Sequence, residues 1–161
     1  MNAFIQIDTI PGESQDDQHS NWIEPKGFSF SATQPTGGPT SDSGTRAQGR
    51  VELSDFQFVK AVDVASTKLM LECAKATNIK KVTVQVHRAT GKRELYYEVI
   101  MENVLITNVS ISASEEGLPM ESVSMNAGQI KFKYIQFDTK GQKVKETKSG
   151  WDMEKDKELA G

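Results

Sequence analysis

The residues of this chain best suited to chemistry are its two histidines and its single cysteine. His19 follows Glu13, Asp16 and Asp17 in one short segment. Carboxylates grouped in this way can hold a hard cation, but the ligand spacing of an EF-hand and its terminal bidentate Glu are absent. The segment therefore reads as a solvated or interface loop rather than a metal site. His87 stands beside Arg88 on the polar phase of a strand pattern, with no second histidine near it in sequence, and reads as a surface residue. Cys73 falls on the apolar face of a helical pattern, whereas a reactive thiol needs an electropositive, partly exposed site. It is expected to be a small, buried, chemically quiet core residue. Neither Gly-x-Ser-x-Gly, a P-loop nor a dinucleotide fingerprint occurs. Asp and Glu are plentiful, yet nothing selects a pair for hydrolysis. The expectation is a domain without catalytic equipment, cofactor or metal.

The elements that position these residues repeat mostly with a period of two. Ile5 and Ile7 alternate with Gln6 and Asp8 until Pro11-Gly12 stops the strand. Phe28, Phe30 and Ala32 repeat the pattern. Val51 and Leu53 alternate, and Phe56 and Phe58 resume in the opposite phase, so Ser54-Asp55 predicts a bulge or a change of sheet face. Val82, Val84 and Val86 form the cleanest strand before a turn at Thr90-Gly91-Lys92. Leu95, Tyr97, Val99 and Met101 continue, after a slip, as Leu105, Thr107, Val109 and Ile111, a long ribbon bent near Glu102-Asn103. Val123, Met125 and Ala127 change phase at Gly128 to Ile130, Phe132 and Tyr134. One segment departs from this rule. Ala65, Leu69 and Cys73 recur four apart, with Met70 and Ala76 beside them, which predicts one helix over about 64–76 capped by Asp63 or Ser66. Two stretches look irregular: Thr33 to Gly49, with four Gly and two Pro, and the Lys- and Glu-rich chain from Asp138 onward.

The 161 residues suffice for one domain with a substantial core. Lys and Arg total 19 against 22 Asp and Glu, a net charge of −3, which excludes a generally basic nucleic-acid binder. A lone cysteine excludes an intramolecular disulfide. No apolar run is long enough to span a membrane, and the alternating N-terminus does not read as a signal peptide. Charge is divided along the chain: the first 25 residues hold five carboxylates and no Lys or Arg. Lys131, Lys133, Lys140, Lys143, Lys145 and Lys148 cluster late, without the interleaved aromatics of a nucleic-acid stacking surface. Opposite charge in two parts of one chain suits self-association of like subunits.

The ordered motifs resemble a known family. Phe4-Ile5-Gln6-Ile7, then Gly12-Glu13-Ser14, the acidic loop with His19, and Trp22-Ile23 resemble the opening of the haemolysin-coregulated (Hcp) proteins of bacterial type VI secretion. Phe58-Val59-Lys60 precedes Asp63, Ser66 and Leu69 as that family's Lys, Asp, Ser and Leu precede and enter its single helix. Tyr96-Tyr97, Val104 to Ile111, Glu121 to Met125, Ile130 to Tyr134 and Gly150-Trp151-Asp152 follow in the family's order. Thr67 departs from it, where many members have Pro.

The resemblance implies a mainly β fold: a compact two-sheet β-barrel of the phage-tail-tube kind, one domain over 1–161, with one α-helix on its side. It implies hexameric rings stacked head to tail into the inner tube of a contractile machine. A sheath surrounds that tube, a spike tips it, and small effector proteins ride in the lumen. The tube would assemble in the bacterial cytoplasm and be expelled without a signal peptide; no nucleic-acid or membrane partner is implied. Candidate subunit contacts are Glu13, Asp16, Asp17 and His19 in the acidic loop. In the extended loop at about 33–49 they are Thr36, Gly37, Gly38, Ser43, Gly44 and Arg46. The competing readings are a small ligand-binding β-barrel carrier, which needs an apolar cavity, and a secreted hydrolase, which needs more chain than the ten or so residues after Trp151.

Overall fold

The computed structural model describes residues 2–36, 49–89 and 92–161. The strands are β1 (Ala3–Ile7), β2 (Gly27–Ser29), β3 (Ala32–Thr33), β4 (Glu52–Leu53) and β5 (Phe56–Ala61). After helix α1 (Ser66–Lys75) come β6 (Ile79–His87), β7 (Leu95–Ser112), β8 (Met120–Phe137), β9 (Lys143–Asp152) and β10 (Lys157–Glu158). The predicted helix is present but begins two residues later and ends one earlier than expected. Asp63 Oδ1 accepts the Ala65 N–H at 2.9 Å, so it caps the turn leading into α1 rather than the helix itself. Ala76, expected on its inner face, ends it in the left-handed conformation.

An eight-stranded antiparallel sheet runs in the order β1-β6-β7-β8-β5-β2, with β9 on β8 and β10 on β9. The ends of that path, β1 and β2, are not neighbours. The sheet is thus open, and the expected barrel is corrected to a strongly bent sheet with a separate β3-β4 ribbon. The change at Ser54-Asp55 is a change of sheet, because β4 belongs to the ribbon and β5 to the main sheet.

The 18-residue strands β7 and β8 make the bend. Asn103 (φ 54°) lies opposite Gly128 in the β7-β8 register. Here both strands exchange the face they turn inward: Val99 and Met101 give way to Val104 and Ile106 on β7, and Met125 to Ile130 on β8. A Cβ at Gly128 would lie 2.8 Å from the Glu154 carboxylate and 2.9 Å from the Asn103 amide, so the crossing is built around a missing side chain. The other edge of β8 changes partner at the same place, from β5 to β9. The expected phase Leu105, Thr107, Val109 is corrected. Leu105 faces outward, and the register shifts between Ile106 and Asn108, which turns Val109 back toward the core.

The core joins Ile5, Ile23, Phe56, Phe58, Leu69, Val82, Val84, Met101 and Met125, all at most 2% exposed. Helix α1 lies against β7 and supplies Leu69. Cys73 is only half-buried, at the margin of the core, and Met70 is exposed. The stretch after Asp138, expected to be irregular, forms β9: Lys143 to Asp152 pairs with Gln129 to Phe137. Its alternation was hidden because Val144 and the lysines beside it are all exposed on a sheet edge.

Candidate functional site

The Gly12-Glu13-Ser14 segment folds back on Asn21-Trp22. Gly12 N–H donates to Asn21 C=O at 2.7 Å, Ser14 N–H to Trp22 C=O at 3.0 Å and Asn21 N–H to Ser14 C=O at 2.9 Å. A Cβ on Gly12 would stand 2.4 Å from the Trp22 carbonyl oxygen, so no other residue fits this fold-back. The Ser14 hydroxyl donates to Glu24 at 2.7 Å and accepts the Asp16 N–H at 3.2 Å. The loop is thereby laid across one face of β1 and β6.

Under it lies a polar network. His19 is 3% exposed, so the expected solvated position is corrected. Its Nδ1 contacts Asp16 Oδ1 at 2.8 Å, and its Nε2 contacts Gln85 Oε1 at 2.9 Å. Phe4 stacks on its ring at 4.2 Å, and Trp22 meets it edge-on at 4.7 Å. His87, expected on the surface, is 7% exposed, with its Nε2 only 3.1 Å from His19 Nε2. The supposedly outer face of β6 is a second interior, because the loop covers it. The network extends outward. Arg93 pairs with Asp16 and lies over the Phe4 ring; Gln85 donates to Glu98 at 2.6 Å, and Lys133 holds Glu98 at 2.9 Å. The hydrogen bond from His19, aided by Arg93, holds the Asp16 carboxyl down at about 2. Burial pushes the His87 imidazole below its usual value. Among the described residues, neither imidazole has a hydroxyl or thiol as a hydrogen-bond partner. Among the described residues no three His, Cys, Asp or Glu side chains group around one point.

A second cluster lies in the core. Lys60 and Glu121 are directly opposite in the β5-β8 register, 1% and 0% exposed. Lys60 Nζ donates to Glu121 at 2.5 Å, Asp63 at 2.7 Å and Ser66 at 3.0 Å, and the Ser66 hydroxyl donates to Glu121 at 2.6 Å. This buried ion cluster fastens the start of α1 to two strands. It was readable in outline: Lys60 continues the inward phase of Phe56 and Phe58, and Glu121 begins the inward phase of Val123 and Met125.

Of the candidate contact residues, His19 is buried and Asp16 half-buried, both joined to the network under the loop. Glu13 and Asp17 are exposed, and Glu13 accepts the Val64 N–H at 3.1 Å. Thr36 is exposed, whereas Gly37, Gly38, Ser43, Gly44 and Arg46 lie outside the described residues. Arg50 donates to the Met153 carbonyl at 2.6 Å. Asp152, buried, accepts the N–H groups of Glu154 and Lys155 at 2.9 Å, which explains its place after Gly150-Trp151. No helix among the described residues is long and apolar enough to cross a membrane.

An open, bent antiparallel sheet with one side helix, a Gly-Glu-Ser fold-back and a buried Lys-Glu cluster defines the class, and the comparisons agree. The family model described as type VI secretion system effector, Hcp, matches residues 4–134. This chain belongs to the Hcp family of type VI secretion proteins. It is 26% identical over 136 residues to Protein hcp1 of Pseudomonas aeruginosa, covering 83% of each chain. A solved type six secretion system protein superposes with a TM-score of 0.91 at 22% identity, covering 98% of both chains. Hcp1 from Salmonella typhimurium superposes with a TM-score of 0.80 at 24% identity, covering 98% of this chain and 97% of that one.

Proposed function

We propose that this chain is a tube subunit of a type VI secretion machine. Six copies close into a ring, rings stack head to tail, a sheath encloses the stack and a spike caps it. Small effector proteins travel in the lumen. The family match over residues 4–134 carries this reading. The open sheet supports it. The edge of β9 from Lys143 to Ser149 has no strand partner among the described residues. A ring needs one surface to meet a different surface on the next copy. Here a lysine-bearing edge and an acidic loop with exposed Glu13 and Asp17 supply opposite charges on separate elements.

The role is structural. The interior between sheet and helix is filled by Phe56, Phe58, Leu69, Met101 and Met125, which disfavours a ligand carrier of the lipocalin kind. Electron microscopy of the purified chain tests the reading. Ring-shaped particles with a central hole are expected. Featureless single-chain particles at micromolar concentration would overturn it.

A further inference from the structure

The only two histidines of the chain, 68 residues apart, are brought into contact beneath the acidic loop. We infer that this pair is an acid-operated latch: it holds residues 12–22 down on β1 and β6 at neutral pH, and a second proton releases them. The segment is built as a separable lobe. Its backbone hydrogen bonds close within itself: Gly12 to Asn21, Ser14 to Trp22, His19 to Asp16, Asn21 to Ser14 and Trp22 to His19. Side chains fasten it to the body. His19 reaches Gln85 and His87 on β6 and stacks on Phe4 of β1; Asp16 pairs with Arg93, and Glu13 takes the Val64 N–H. His87 is the fixed half, since its backbone N–H donates to Asn2 C=O at 2.8 Å beside the β1-β6 pairing.

The protons of the pair follow from its partners. His19 Nδ1 faces the Asp16 carboxylate at 2.8 Å, and its Nε2 faces Gln85 Oε1 at 2.9 Å. Both oxygens accept, because the Gln85 amide N–H is committed to Glu98. His19 thus carries a proton on each nitrogen, an imidazolium matched by Asp16. His87 donates from Nδ1 to the Arg93 carbonyl at 3.4 Å and turns an unprotonated Nε2 toward His19 Nε2 at 3.1 Å. A proton arriving there sets two N–H groups and two cations against each other in a buried place. The charged groups around them are Asp16 on the loop, Arg93 before β7, Glu98 on β7 and Lys133 on β8. Asp16 is already matched to His19 and Arg93, and Glu98 to Lys133. Burial, reinforced by the charges of His19 and Arg93, holds His87 below its ordinary 6.5. The closed lobe resists a proton that a freed imidazole accepts. Closure is therefore complete above pH 6.5 and weakens as pH falls, by up to about tenfold per unit. Asp16 stays ionised down to about 2, so release above the carboxylate range belongs to histidine. The lobe carries the exposed Glu13 and Asp17, and its release withdraws that acidic surface from a next copy. That consequence rests on the ring reading, whereas release itself is measured on the chain, ring or no ring.

The test is amide hydrogen exchange of the full chain, followed by mass spectrometry from about pH 7.5 to about pH 4.5 and corrected for the intrinsic effect of pH. Residues 12–22 should lose protection by up to about tenfold per unit below pH 6.5, while β6 and β7 keep theirs. The His87 ring signals, followed by NMR, should titrate over the same range. His87→Gln keeps an acceptor for His19 and takes up no proton, so it should hold the segment closed at the acid end. Should His87→Gln fail to fold, the coincidence of ring titration and lost protection in the unaltered chain decides. Protection of residues 12–22 that is unchanged across the range overturns the inference. Release that does not track the His87 titration, or that persists in His87→Gln, also overturns it.

Discussion

Lys60 and Glu121 occupy positions where the strand pattern calls for apolar side chains, and the fold answers by pairing them with each other and with Asp63 and Ser66, while the second Glu121 oxygen, Oε1, has no hydrogen-bond partner among the described residues. Removing one member of a buried ion pair leaves an uncompensated charge, which costs about 3–5 kcal/mol. Lys60→Met should therefore destabilise the protein by that amount in urea titrations. Lys60→Met with Glu121→Leu should recover much of the loss, because both charges are then gone. Gly12 is constrained as tightly by space alone. Gly12→Ala should cost at least ~1–3 kcal/mol, as overpacking against a fixed backbone does, and should increase amide exchange at Ser14 and Asn21. At this scale the sequence was partly legible. Lys60 and Glu121 lay visibly on inward phases. His19 and His87 were misread because a period-two pattern says which residues share a face, not what covers that face. Helix phase placed Leu69 correctly, but Cys73 lies where α1 leaves the core, so its thiol is half-buried rather than sealed.

At the scale of elements, phase changes were the most informative signal. Those at Ser54-Asp55, Asn103 and Gly128 mark where the chain changes sheet or exchanges its inner face. The bend expected near Glu102-Asn103 coincides with the face exchange at Asn103, whereas the second register shift, between Ile106 and Asn108, was not read, since Val104 and Leu105 are equally apolar and only pairing distinguishes them. Strand β9 was missed for a physical reason: most of its side chains face solvent, so no burial imprints a period. Its edge carries Glu146 between Lys143 and Lys148. The hydrogen bond from Lys143, then that from Lys148, lowers the Glu146 carboxyl from 4.5 to about 2. A carboxyl with a depressed folded value contributes stability above pH 4.5, its unfolded value, and loses that contribution as pH falls through about 2. Glu146→Gln should therefore lower the urea midpoint slightly at pH 6, with the difference vanishing near pH 2. High salt should shrink it, because the pair lies at the protein surface, with Lys143 and Lys148 exposed and Glu146 half-buried. The extended loop belongs to this scale too. Shortening residues 37–48 to a tight turn should change chain entropy by only ~0.6 kcal/mol per halving. Thermal stability should be retained while assembly into tubes is lost. Collapse of stability with assembly intact would assign the loop to the fold.

For the whole molecule, composition and periodicity supplied a mainly β domain with one helix, and the structure adds a core filled by Phe56, Phe58, Leu69, Met101 and Met125. The open sheet was not foreseen: period two announces strands and says nothing about whether the first and last of them meet. Open edges, segregated charge and family membership bear on one property, association of this chain with copies of itself. Six chains carry a net charge of 6 × (−3) = −18, so association must bury enough apolar and hydrogen-bonding surface to outweigh that repulsion. Mass in solution reports on this most directly. Native mass spectrometry or equilibrium sedimentation at micromolar concentration should give six times the 17.8 kDa chain as the main species. A single 17.8 kDa species under the same conditions would contradict the account.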